Sequence, residues 1–170
     1  MRRPALLVLA ASAAMALSAC GPKQEKTAEA PAAEAPAPSA APIPVPPTED
    51  QAKILATFPA PYNTADLANG KRVFARCRSC HSLTEGGPNM TGPNLYGVFG
   101  RKAGSKADYN YSDAVKNAGF TWDAQRLDGW LSDPKHFLPG TKMSFAGVHD
   151  AKDRTDLIAY LMTETGHRPG

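Results

Sequence analysis

The sequence predicts an all-α domain of short helices and long loops folded around a buried staple, behind an extended, disordered linker. Three observations predict it. Short stretches with apolar residues at helical spacing each follow a capping residue. A Gly/Pro-rich stretch, EGGPNMTGPNLYG, has no usable period. An Ala/Pro-rich run, PAAEAPAPSAAPIPVPP, precedes all of them. The chain has 170 residues, room for at most one or two ordinary domains.

Residues 1–19 read as a secretory signal: Arg2 and Arg3 make a basic head, Ala5 to Leu17 is apolar, and Leu17-Ser18-Ala19-Cys20 closes the stretch. The apolar run is shorter than the roughly 20 residues a helix needs to cross the hydrocarbon core. The Leu-Ser-Ala-Cys ending resembles the lipobox of bacterial lipoproteins, in which the cysteine takes a diacylglyceryl group and becomes the new N-terminus. An ordinary cleavage site that happens to hold a cysteine is the bland alternative. The chain has three cysteines, and an odd one in an exported protein calls for an explanation that lipid on Cys20 supplies.

Residues 20–63 read as a lipid-anchored Ala/Pro-rich linker. Proline fixes φ and removes backbone donors, and there is little apolar bulk to bury. At about 3.1 Å per residue, some 40 residues of polyproline geometry reach roughly 120 Å. Thr48 and Gln51 have capping-box spacing, which allows a short helix at about 48–58.

The composition becomes that of a folded domain over 64–170. Thr64 is expected to cap a helix running to about Arg76, with Leu67, Val73 and Phe74 on one side. The loop of EGGPNMTGPNLYG follows. Ser112 starts a short helix that Gly119 ends, Asp123 starts another that Asp133-Pro134 ends, and Asp150 caps a last one with Leu157, Ile158, Tyr160 and Leu161 on its apolar side. Four short helices give a poor core, and small domains of that kind rely on a staple. From Thr64 onward there are 14 Lys and Arg against 11 Asp and Glu. So mild an excess can orient a docking encounter but does not argue for nucleic acid.

The staple is suggested by CRSCH, Cys77 to His81, at the end of the first helix. Zinc would need a second ligand pair, and the remaining histidines, His136, His149 and His167, are isolated. A thiol–disulfide motif prefers a βαβ context, and this one is helix followed by loop. Haem needs only what is present: two cysteines to form thioethers with the vinyl groups, and a histidine to face the iron. The sixth position on iron then decides the chemistry, because an empty one admits ligands or peroxide while a methionine closes it and raises the potential. Met90 is close to His81 in sequence and Met162 lies in the apolar last helix. Met143, in the loop PGTKMSFAG, is the best placed.

CRSCH, TGPNLYGVFGRKAG, YSDAVKNAGFTW, DPKHFLPGTKMSFAG and RTDLIAYL follow one another in an order that resembles class I cytochromes c of the mitochondrial type, over about 66–163. The resemblance implies the class I cytochrome c fold around one covalently bound haem c. It implies thioethers at Cys77 and Cys80, and His81 and Met143 as axial ligands. Pro93 would accept the other ring N–H of His81. Arg101, Tyr111, Trp122 and Thr141 would hold the haem propionates. Gly70, Phe74 and Tyr160 would form the crossing of the first and last helices.

This chain also departs from the family. Trp130 stands where many members have tyrosine near the methionine sulfur, and Val115 where mitochondrial members hold a water with asparagine. Asn89 and Tyr96 replace histidines of the lower loop, which puts its secondary bond in doubt. Of the basic docking ring, Lys71, Arg76, Lys135 and Lys142 remain, while His136 and Asp150 stand at positions usually held by lysine. The implied function is a monomeric single-electron carrier on the periplasmic side of a bacterial inner membrane, held by the lipid anchor. Its donor would be a cytochrome bc complex, and its acceptor a haem–copper oxidase or photosynthetic reaction centre. A peroxidase or gas-binding haem protein with a labile methionine is the alternative.

Overall fold

The computed structural model describes residues 48–168. The signal at 1–19, Cys20 and the linker as far as residue 47 lie outside the described residues. Six α-helices and one 3₁₀ turn follow in order: α1 (Glu49–Ala56), the turn Tyr62–Thr64, α2 (Leu67–Phe74), α3 (Asp113–Lys116), α4 (Ala124–Ser132), α5 (Pro134–Phe137) and α6 (Ala151–Glu164). Among the described residues there is no strand, only an isolated antiparallel bridge between Lys102 and Thr121. No helix among them is long and apolar enough to cross a membrane.

Most starts are set by side-chain oxygens that accept the first free amides of the helix. Ser112, Asp123 and Asp150 cap α3, α4 and α6 as the sequence predicts. Thr64 does not cap α2. Its hydroxyl turns back to donate to the Pro61 carbonyl, and Asp66 accepts from the Asn69 amide at 3.0 Å in its place. The Asp133-Pro134 pair ends α4 and also starts α5, with Asp133 accepting from the amides of Lys135 and His136. Proline lacks an amide hydrogen that the first turn would leave unused, so it suits that position.

The fold is centred on the crossing of α2 and α6. A Cβ on Gly70 would lie 2.2 Å from the Asp156 carbonyl oxygen and 2.7 Å from the Tyr160 Cβ, so only glycine lets the two backbones approach so closely. Phe74 and Tyr160 close the crossing, with ring centroids 5.8 Å apart. Leu157, Ile158 and Ala159 of α6 are wholly buried. A polar cluster fastens the other end. The Asp156 carboxylate, 1 % exposed, accepts from the Asp66 amide at 2.9 Å, Asn69 Nδ2 at 2.6 Å and Lys152 Nζ at 2.6 Å. Burial alone pushes the Asp156 carboxyl up, but these donors outweigh it and hold it below the ordinary carboxylate range.

The stretch 48–63, assigned to the linker by its composition, carries structure of its own. Thr48 and Gln51 make the reciprocal capping box at 3.0 and 3.3 Å. Gln51 donates to Glu164 at the end of α6. Phe58 is 3 % exposed and stacks on His167, which in turn stacks on Phe99. Packing therefore begins well before residue 64.

Candidate haem site

After α2 the chain continues in tight turns, with the amides of Cys80 and His81 both donating to the Cys77 carbonyl. The two cysteines and the histidine thus share one turn, and the cysteines carry no disulfide. As a free thiol Cys77 is pushed up to about 11 by burial, against the pull of the Arg76 charge. Burial also lowers His81, opposed by its bond to Pro93, which favours the neutral imidazole that a metal requires.

The imidazole is fixed from below. Nδ1 lies 2.8 Å from the Pro93 carbonyl oxygen, so that nitrogen carries the hydrogen and Nε2 is left for a metal. A Cβ on Gly92 would stand 2.2 Å from His81 Cε1 and 2.7 Å from both ring nitrogens. Gly92 was not singled out in the sequence. The TGPNL stretch that contains it was the available signal, since a glycine beside the proline that binds the ring marks a close backbone approach. The Gly92 amide donates to the Cys80 carbonyl at 2.9 Å, tying the loop to the CRSCH turn.

Asn94, 4 % exposed, organises this loop by donating to Ser82 Oγ and the Thr84 carbonyl while accepting from the Tyr96 amide. The lower loop is not left unfastened by the loss of its histidines. Asn89 Nδ2 donates to the Asp108 carbonyl at 3.0 Å and its carboxylate at 2.9 Å, and Asn89 Oδ1 accepts from the Asn94 amide. Tyr109 adds a bond from its hydroxyl to the Thr91 carbonyl.

The residues expected around the propionates come from separate stretches of the chain. Arg101 and Trp122 are joined through their backbones, the Trp122 amide donating to the Arg101 carbonyl at 2.9 Å. The Arg101 guanidinium donates to the carbonyls of Tyr96 and Asn94. Burial raises the half-buried Tyr111 phenol, and the nearby Arg101 charge opposes that rise. Thr141 is on the methionine loop, where its Oγ1 accepts from the Met143 amide at 3.1 Å, and its neighbours Gly140 and Lys142 line one cavity with Tyr111. Met143 is partly buried against the core.

Trp130 and Val115, the two departures, are both buried. Trp130 packs edge-to-face on Trp122, with centroids 5.4 Å apart, and on Phe137 at 6.1 Å; Phe120 touches both of those rings. Gly129 makes room for Phe137, whose ring lies 2.9 Å from where a Cβ would be. Asp150 is accounted for as the cap of α6. No three His, Cys, Asp or Glu side chains converge as a metal cluster among the described residues.

The family model described as Cytochrome c matches residues 67–165. The chain belongs to the cytochrome c family. A cytochrome c of Kluyveromyces lactis is 43% identical over 105 residues, which cover 61% of this chain and 96% of that one. A cytochrome c2 of Blastochloris viridis is 46% identical over 108 residues, covering 64% of this chain and 85% of that one. Among solved structures, cytochrome cH from Methylobacterium extorquens superposes with a TM-score of 0.54 at 50% identity, over 58% of this chain and 99% of its own. The protein is therefore a class I cytochrome c, a monohaem electron carrier with one covalently bound haem c. The site fits that group: neighbouring unbridged cysteines, an oriented neutral imidazole beside a glycine, and a methionine on a loop, partly buried against the core.

Proposed function

We propose that Cys77 and Cys80 hold the haem through thioethers, that His81 and Met143 are its axial ligands, and that the protein carries electrons at the periplasmic face of a bacterial inner membrane. The observation that carries this reading is His81, set between Gly92 and the Pro93 carbonyl with Nε2 free. When bound, the haem takes up and releases single electrons at its iron. The protein's part is to fill both axial positions, exclude water and move little. Pro93 keeps the ring orientation and basicity of His81 constant, and Trp122, Trp130 and Phe137 make a dry wall. Arg101, Tyr111, Trp122 and Thr141 are proposed for the propionates, since a carboxylate in a low-dielectric pocket must be bonded or paired.

A cytochrome bc complex as donor and a haem–copper oxidase or photosynthetic reaction centre as acceptor suit this chemistry. The likeness to cytochromes c2 and cH of bacteria supports that assignment. Lys71, Lys135 and Lys142 are exposed and available to acidic partners. Cys20 is proposed to carry the lipid that keeps the monomeric carrier near both complexes and raises its effective concentration. The test is reduction and oxidation of the purified holoprotein by isolated membrane complexes at several ionic strengths. Rates should fall as salt rises. Failure to exchange electrons with any such complex would sink the partner assignment.

A further inference from the structure

We propose that Arg76 is a positioning residue for the methionine loop: from the turn that carries Cys77 it grips residues 145–147 and so limits how readily Met143 leaves the iron. The proposal rests on Met143 being the sixth ligand. Sequence reasoning counts Arg76 only as a cation of the docking ring. In the structure Arg76 is an exposed residue whose guanidinium lies over residues 145–147. Nη2 donates to the Gly147 carbonyl at 2.9 Å, and Cζ stands 5.0 Å from the centroid of the Phe145 ring.

These contacts matter because the loop has few others. Between Thr141 and Val148 the described backbone hydrogen bonds are scarce. Upstream, the Met143 amide donates to Thr141 Oγ1; downstream, the Val148 amide donates to the Leu131 carbonyl at 2.7 Å. The Gly147 carbonyl receives Arg76 just before that second anchor. Gly147 itself sits at φ +98°, with the Ser132 carbonyl oxygen 2.0 Å from where a Cβ would be, so the chain there has no alternative conformation to offer a side chain. The intervening segment lacks a ladder of its own. A hinge fixed at Gly147 and a planar cation laid on Phe145 therefore set the swing available to Met143. Arginine suits the task because one face of its guanidinium stacks while an edge donates.

Cyanide binding to the ferric holoprotein at neutral pH reads methionine release directly, since cyanide needs the sixth position. Arg76→Ala should speed it about tenfold, equivalent to about 1.4 kcal/mol of preference for the closed loop. Arg76→Lys, which keeps the charge and loses the planar fork, should fall between that variant and the parent. Asp156→Asn serves as a control, because it weakens the α2–α6 crossing away from the loop and should leave the cyanide rate unchanged. Arg76→Ala added to Met143→Ala should have no further effect.

An unchanged rate in Arg76→Ala, while Met143→Ala binds cyanide quickly, overturns the positioning role alone. Equal acceleration by Asp156→Asn also overturns it, since general loosening then explains the effect. A Met143→Ala variant that keeps the parent's methionine–sulfur charge-transfer band and cyanide rate overturns the ligand assignment, and the proposal goes with it.

Discussion

Gly92→Ala puts the architecture of the histidine side to a quantitative test. The new methyl would stand 2.2 Å from His81 Cε1 and 2.7 Å from each ring nitrogen. Ordinary carbon contacts lie at about 3.5–4.0 Å, so ring and loop must separate by more than about 1 Å. Neither is free to yield. The ring is held by the Pro93 carbonyl at 2.8 Å, and Gly92 is held by its own amide bond to Cys80. Overpacking of this kind costs about 1–3 kcal/mol, and a lost Pro93 bond adds about 1 kcal/mol. The expected loss in unfolding free energy is therefore about 2–4 kcal/mol, a large part of the 5–15 kcal/mol typical of a small domain. The potential should rise as well, because an imidazole without its Pro93 acceptor is a weaker donor to the oxidised iron. Guanidinium unfolding and redox titration of covalently loaded protein measure both effects. An unfolding free energy within about 0.5 kcal/mol of the parent, with an unchanged potential, would refute the claim that Gly92 is demanded by close approach.

Met143→Ala should lower the potential, abolish the methionine–sulfur band and admit carbon monoxide to the ferrous protein; an unaltered spectrum would remove Met143 from the site. Asp156→Asn should cost about 2 kcal/mol at neutral pH by breaking a buried hydrogen-bond cluster. Because the folded carboxyl is held below its unfolded value, its contribution is full above the ordinary carboxylate range and fades as pH falls through the folded value. The gap between parent and variant should therefore close in acid, and a gap independent of pH would count against the charged form as the source. Val115→Asn/Trp130→Tyr, which supplies the two polar groups that the family resemblance leads one to expect at these positions, should lose methionine ligation at a lower pH than the parent in an alkaline titration; a parent midpoint at or below that of the variant contradicts a stabilising role for the two apolar side chains. Cys20→Ser should abolish labelling by lipid precursors, and unchanged labelling would exclude a lipid on that residue.

What could be read in the chain was local or was carried by ordered motifs. The caps at Ser112, Asp123 and Asp150 are visible because a capping side chain acts within three residues of itself. The same locality explains one misreading and one reading that was only half of the answer. Thr64 has the right chemistry for a cap, but two residues later Asp66 also has it, and the turn at Tyr62–Thr64 decides between them. Asp133-Pro134 reads as a stop in one direction and a start in the other, and only the packing of Phe137 under Gly129 shows that both apply. The family motifs pointed to His81 and Pro93, and the structure places them 2.8 Å apart. Bonds that join distant loops had no such signal. Asn89 with Asp108 and Arg76 with Gly147 are 19 and 71 residues apart, and polar side chains of these types are usually solvated.

The packed segment before residue 64 changes the proposed tether. Composition alone spreads the flexible length over 20–63, yet Phe58 is 3 % exposed and Gln51 is bonded to the end of α6. With both contacts made, the folded unit begins at about Thr48 and not at residue 64. Phe58→Ala distinguishes the two pictures. Removing a buried phenylalanine costs about 3 kcal/mol if the segment belongs to the folded unit, and next to nothing if it is only a strap. A released segment should also become a site of proteolytic cleavage ahead of Asp66, whereas the parent should resist cleavage there. Equal stability and equal cleavage in the two proteins would return the start of the folded unit to residue 64.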